Sequence, residues 1–594
     1  MRIIGRIVGV QSTEQSVGII VGAFDPNIIY IWHGGGKVIR YNIPIDISEF
    51  EKIRKNDYYY VDKTELIRAL VKTELAEITL FTRPRRFGKT LIMSMMASFF
   101  DIRRDSKALF EGLKISEDQK LCELWMNQWP VIFLSFKDAG GDSFEDAYGL
   151  LQSIISQLYV EHAYLEKCTE IDESYKEIFA RLKHRQGNKT DVQISLRILM
   201  RMMQIYYGKQ VILLIDEYDV PMAKSGARAY YNEMLDVIGT MMSQVLKDNT
   251  SLKFSVITGC LRISKESIFT GTNNFVADTI ADERFSQFFG FTDEEVRILL
   301  ENTGNLEYFD RIKKWYDGYC FGKTEIYCPW DVLCYLNKLA FESGSEPENF
   351  WENTSHNDII RTFLSCEGMD VTDSFEKLLA GDTIEVNITE NLTYENLTDS
   401  EENLWSVLYL TGYLTKDIKN PVNGKTKAFL KIPNAEIMDI FRKSVVRWFD
   451  ERIAVRDRSE LFKALWNEDA GRLSDLISEL LFETISYHDY AESFYHAFLA
   501  GLFANAGYIV ESNYESGLGR PDLVIKDKKK RRVVIMEMKI ADCAESMQKA
   551  EERALNQIEE MRYADGMYAQ GYQKVIKYGV AFYRKSCLVG RYEE

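Results

Sequence analysis

Ile78-Thr-Leu-Phe-Thr-Arg-Pro-Arg-Arg-Phe-Gly-Lys-Thr90 decides how the front half of the chain is read. The apolar run Ile78–Phe81 suits a short buried strand. It passes straight into Arg83–Thr90 and then into Leu91–Phe100, read as a helix. Strand, loop and helix form the context in which Gly-Lys-Thr binds phosphate. Backbone N–H groups at the helix start face the anion, the lysine reaches the β/γ oxygens, and the threonine hydroxyl holds Mg²⁺. Gly88, Lys89 and Thr90 are expected in those roles, with Arg83 and Arg86 beside them. Arg83 stands where a first glycine is usual, and it carries a steric cost if φ must be positive there.

Three further apolar runs follow, Val131–Phe136, Val211–Ile215 and Phe254–Ile257. Amphipathic stretches such as Phe144–Tyr159 and Ile194–Tyr207 separate them, and this alternation predicts a parallel α/β sheet covered by helices on both faces. The run Val211–Ile215 leads into Asp216-Glu217. Asp216 would support Mg²⁺ and Glu217 would polarise the attacking water. Thr258 is placed to sense the γ-phosphate, and Arg262 to stabilise charge in cis or in trans. A lone Gly-Lys-Thr often does no more than cap a helix. Followed by an apolar strand ending Asp-Glu, it is far more specific.

A second pattern lies more than 400 residues on: Pro521-Asp522, then Glu537-Met538-Lys539. The order of elements around it reads α-β-β-β-α-β. Helix Tyr490–Ala506 leads to strands at Tyr508–Asn513, Pro521–Ile525 and Arg532–Ile540, then helix Ala544–Arg562 and strand Ile576–Phe582. Residues i and i+2 of a strand share a face, so Glu537 and Lys539 project together, and Asp522 begins the neighbouring strand. Two carboxylates on adjacent strands suit Mg²⁺ or Mn²⁺. Glu492 on the preceding helix could complete the metal shell, His496 is read as packing, and Gln557 as a polar partner near the substrate. The bland alternative is a surface hairpin with unrelated charges.

Charge narrows the partner. The 594-residue chain carries a formal net charge of −17, which disfavours a polyanion partner overall. Residues 481–594, however, hold 16 Lys plus Arg against 17 Asp plus Glu, including the run Lys526-Asp-Lys-Lys-Lys-Arg-Arg532. This run is read either as a solvated turn or as a nucleic-acid contact. Nine scattered cysteines fit a reduced, cytoplasmic setting. No uninterrupted apolar run is long enough to span a membrane, and Met1–Val10 is not read as a signal peptide. Residues 291–480 read mainly as helices, a lid and a connector, with Trp315-Tyr-Asp-Gly-Tyr319 as a packed aromatic cluster.

Together these segments resemble a bacterial AAA-ATPase-like family with a C-terminal PD-(D/E)XK nuclease domain. The resemblance is carried by Ile45–Ile53, Tyr60–Thr64, Phe81–Thr90, Leu214–Asp219, Thr258–Phe269, Trp315–Tyr319, Glu492–His496, Gly519–Asp522 and Glu537–Lys539, and it covers nearly everything after residue 40. Arg83 in place of the first glycine fits that family's pattern. The resemblance implies a P-loop (AAA-like) α/β sheet with helical lid, plus a restriction-endonuclease-like domain, using ATP with Mg²⁺, or Mn²⁺ at the nuclease site. Its implied partner is nucleic acid, DNA before RNA, with a homo-oligomer suggested by the AAA-like core. The boundaries expected are 1–40 appended, 41–290 ATPase core, 291–480 lid and connector, and 481–594 nuclease. Defence or mobile-element biology is an expectation from domain pairing alone. The rival expectation is a nucleotide-dependent switch or scaffold that binds nucleic acid or protein without cutting.

Overall fold

The structure, a computed structural model, describes residues 8–9, 18–21, 28–33, 37–72, 77–226, 228–262, 275–351, 372–390, 392, 394, 397, 399–417, 427–454, 458–484, 492–503, 508–512 and 519–592. It divides into two compact units. One comprises Met1–Trp351, Val386–Ala428 and Pro433–Ala435; the other comprises Glu352–Glu385, Phe429–Ile432 and Glu436–Glu594.

The first unit is organised by a five-stranded parallel sheet: β1 (Ile78–Thr82), β2 (Val131–Ser135), β3 (Val211–Asp216), β4 (Leu252–Gly259) and β5 (Phe275–Asp278), in spatial order β2-β3-β4-β1-β5. Every residue of β1 and β3 is buried, as continuous apolar runs in a doubly covered sheet require. Helix α1 (Lys89–Phe100) follows β1. Helices α2 (Phe144–Glu161), α3 (Lys189–Tyr207) and α4 (Tyr231–Leu246) pack Leu151, Leu196, Met203 and Met241 into one core with Ile78, Leu213 and Ile215. Helix α3 starts where Asn188 and Asp191 cap each other's backbone N–H and stops at Gly208 in the left-handed region. The stretch before residue 41, rich in β-formers, belongs to a four-stranded antiparallel meander running to Asn42, in which Ile31 pairs with Ile39 and Trp32 with Val38.

Helices Asp293–Thr303, Phe309–Tyr316 and Pro329–Phe341 share a core of Val296, Ile312, Tyr316, Tyr327 and Tyr335. Between the second and third of these helices lies a hairpin that the sequence did not show. Tyr319–Phe321 and Thr324–Ile326 pair as an antiparallel hairpin, three residues a side and too short to show a period of two. Asp317 enters this hairpin buried, its Oδ1 without a hydrogen-bond partner among the described residues and Lys313 3.7 Å from Oδ2. Burial pushes its carboxyl up to about 6, against the opposing pull of the Gly318 N–H and Lys313. A folded-state pKa above the unfolded one means the native form holds its proton longer. Stability is then lost as pH rises from about 4 through 6. Asp317→Asn should therefore stabilise the chain at pH 7.5 by up to about 3 kcal/mol, since each pKa unit is worth about 1.4 kcal/mol. The gain should vanish below about pH 4 in thermal melts run across pH, and a gain independent of pH would refute the account.

The second unit ends in a mixed five-stranded sheet. Helix α5 (Glu492–Phe503) precedes β6 (Ile509–Ser512), β7 (Leu523–Asp527) and β8 (Arg532–Ile540), which pair antiparallel in that order. Helices α6 (Met547–Glu560) and α7 (Tyr563–Ala569) then cross to β9 (Lys574–Tyr583), parallel to β8. The edge strand β10 (Ser586–Arg591) returns antiparallel and extends the expected order. Among the described residues no helix is long and apolar enough to cross a membrane.

Candidate nucleotide and metal sites

The first site gathers at the carboxyl ends of β1, β3 and β4, where open α/β sheets place their ligands. Gly88, at φ 82°, turns the loop into α1 and caps it. Buried Lys89 sends its ammonium back along the loop, donating to the Arg83 and Pro84 carbonyls at 2.9 Å each and lying 3.7 Å from Cys260 Sγ. The Thr90 hydroxyl donates to Asp216 Oδ2 at 2.8 Å, and the Thr258 hydroxyl to Asp216 Oδ1 at 2.5 Å. One buried carboxylate thus ties the ends of β3 and β4 to the first turn of α1. A cation bridged by the threonine oxygen and Asp216, with a phosphate against Lys89 and the start of α1, suits this donor set.

Glu217, next along, is half-buried at φ 53°. Burial raises its carboxyl, Lys89 pulls the other way, and Asp216 and Asp219 add to the rise. Such a group holds a proton more readily than an exposed glutamate, which suits proton traffic beside a nucleophile.

Each of the three arginines singled out from the sequence lies by an aromatic ring. Arg83 is fully buried, donates to the Asp278 carbonyl at 2.9 Å and forms an ion pair with its carboxylate. Its guanidinium lies 4.8 Å from the Phe289 ring centre. Breaking such a pair costs about 3–5 kcal/mol, so Arg83 clamps β1 to β5. Arg86, at φ 72°, sits 3.9 Å over the Trp330 ring, and Arg262 lies 5.8 Å from the Phe275 ring centre. Residues 263–274, which include most of the family-like segment after Arg262, lie outside the described residues.

Three neighbours escaped the sequence reading. Arg85 is exposed beside Cys260 and Glu217. Asp219 accepts the Cys260 and Leu261 N–H groups at 3.0 Å each and the Tyr394 hydroxyl at 3.1 Å. Asp219 was legible as a third carboxylate three residues past Asp216. Tyr394 had no local signal. A Cβ at Gly259 would meet Tyr218 at 2.6 Å and Asp219 at 2.7 Å, so only glycine fits this turn.

The second site lies at one end of the β7–β8 pair. Leu523 pairs with Met536, which sets Asp522 against Glu537. Asp522 Oδ2 accepts the Met538 N–H at 2.8 Å, and Lys539 Nζ donates to Glu537 Oε1 at 3.2 Å. Glu537 is buried, and burial followed by the Asp522 charge raises its carboxyl to about 7. The buried carboxyl of Glu537 beside the half-buried one of Asp522 fits a divalent cation. Among the described residues no group of three His, Cys, Asp or Glu could hold a metal. The side chain of Glu492 lies outside the described residues. His496 Nε2 bonds the Asp522 carbonyl at 2.7 Å, steadying that backbone. Gln557 is half-buried and bonds the Tyr563 hydroxyl, which also reaches the Arg520 carbonyl at 3.2 Å. Tyr563, just past a helix end, carried no signal in the sequence.

Residues 44–269 match the family described as predicted AAA-ATPase, and residues 490–592 match the PD-(D/E)XK nuclease superfamily. An uncharacterized protein in the vnfD 5' region of Azotobacter chroococcum mcd 1 is 27% identical over 560 residues, 92% of this chain and 97% of that one. The structure of the Aeropyrum pernix ORC2 protein (ADPNP-ADP complexes) aligns over 66% of this chain and 93% of its own. Its TM-score is 0.23 and its identity 11%, too loose a superposition to carry an argument. The chain thus joins a predicted AAA-ATPase domain to a domain of the PD-(D/E)XK nuclease superfamily.

Proposed function

We propose that the chain binds and hydrolyses ATP in its first unit and cuts nucleic-acid phosphodiester bonds in its second, with DNA preferred. The juxtaposition of Asp522, Glu537 and Lys539 carries the nuclease reading. Asp522 and Glu537 would hold Mg²⁺ or Mn²⁺, which lowers the pKa of a bound water and neutralises charge at the scissile phosphate. Lys539 would orient the water and stabilise the phosphoryl oxygens as charge develops. In the first unit Lys89 would pair with the β/γ phosphates, Thr90 and Asp216 would hold Mg²⁺, and Glu217 would orient the attacking water. Arg85, exposed beside Glu217, would add a second cation.

The deciding experiment incubates purified protein with single- and double-stranded DNA and RNA, with Mg²⁺ or Mn²⁺, with and without ATP, beside Lys539→Ala. Cleavage should appear with metal and fall by about 10²–10³-fold in the variant. Folded protein that binds ATP and nucleic acid yet cuts nothing would replace this reading with a nucleotide-dependent switch.

A further inference from the structure

The basic run Lys526–Arg532 separates into three parts. Lys526 is buried and paired with Glu511. Arg532 is paired with Asp527 at 2.9 Å and lies 4.0 Å over the Trp466 ring. Asp527, the one carboxylate of the run, is further spent on the Lys530 N–H at 3.1 Å. What remains at the tip of the β7–β8 hairpin is Lys528, Lys529, Lys530 and Arg531. All four are exposed, and none forms an ion pair with any described residue. Four adjacent like charges repel one another, and Asp527, the carboxylate that attracts Lys530, is already bonded to Arg532. The backbone beneath is pinned, since the Arg531 carbonyl accepts the Gln573 N–H at 2.7 Å.

The tip is not at the metal site. Asp522 precedes β7 and the tip follows it, so the five residues Leu523–Asp527 separate them. The six residue steps from Asp522 to Lys528, at about 3.3 Å each, make roughly 20 Å. B-form DNA advances about 3.4 Å per base pair, so this separation spans about six steps of a duplex.

We propose that the hairpin tip is a second phosphate-binding surface for duplex DNA, gripping the backbone about six base pairs from the bond held at Asp522 and Glu537. The spacing rests on the nuclease reading above; the tip's affinity for duplex does not. Every phosphate that a cation neutralises steepens the fall of log K with log salt by about 0.9.

The test combines Lys528→Gln, Lys529→Gln, Lys530→Gln and Arg531→Gln in the full chain. Binding of a fluorescent 20-base-pair duplex is measured by anisotropy across salt with metal chelated, so that no cleavage is required. The variant should bind at least about tenfold more weakly, with a slope smaller by about 2–4. The charge-keeping set Lys528→Arg, Lys529→Arg and Lys530→Arg should hold the wild-type slope. An unchanged slope in the glutamine variant overturns the proposal, as does weaker binding to an acidic peptide with undiminished binding to duplex. Phosphate-ethylation interference then reads the spacing. Ethylation about five to seven steps from the cut should impair wild-type binding and leave the variant's unaffected. Interference confined to the cut itself overturns the spacing. Failure of the nuclease reading would show instead as absent cleavage beside an intact slope difference.

Discussion

Asp522→Asn should abolish metal-dependent cleavage, with a loss of about 10³-fold or more, while the second unit stays folded. Asparagine keeps an oxygen to accept the Met538 N–H, the bond that anchors this side chain at 2.8 Å. It removes the charge that, after burial, holds the Glu537 carboxyl near 7. Glu537 should then titrate lower in the variant, though still above an ordinary glutamate because burial is the larger cause. In the wild type the sign runs so that cation affinity rises as pH climbs through about 7, because the cation needs the ionised carboxylate. Calorimetric Mn²⁺ titrations between pH 6 and 8 would check both points. A variant that still binds Mn²⁺ with wild-type affinity and still cuts would remove Asp522 from the site.

Lys89→Ala should weaken ATP binding by about 10²-fold or more. A charged donor to phosphate is worth about 1.5–3 kcal/mol per hydrogen bond, and an ammonium reaching two phosphoryl groups makes at least two. ATP should raise the unfolding midpoint of the wild type and leave that of the variant nearly fixed, because only a bound ligand shifts the equilibrium. A full ATP-induced shift in the variant would exclude the loop as the nucleotide site.

Much of this was legible because the chemistry is local. Gly88, Lys89 and Thr90 lie between an apolar run and a helix, and Asp216 ends an apolar run. Glu537 and Lys539 share a strand face by parity alone. What escaped depends on distant pairings. Arg83 reads as a misplaced loop residue until Asp278, 195 positions on, is seen beside it. The edge strand Phe275–Asp278 is four residues long, and only its parallel pairing with β1 reveals it. The basic run read as one patch beside the active strands. Its two ends are neutralised, and the free charge stands at the far end of the hairpin, a distinction that pairing register carries and composition does not.

The return of the chain to its first unit bears on dissection. After Trp351 the polypeptide leaves that unit, re-enters at Val386–Ala428, and touches it again at Pro433–Ala435. The re-entrant stretch supplies Tyr394 to Asp219, and Gly412 lies so close to Pro84 that a Cβ would sit 3.0 Å from it. A fragment ending at Trp351 would lack both the hydroxyl on Asp219 and the cover on Pro84. The smallest piece that keeps the first unit whole is therefore discontinuous in sequence. Limited proteolysis that nicks the excursion between Trp351 and Val386 should leave that piece assembled, whereas genetic truncation there should not.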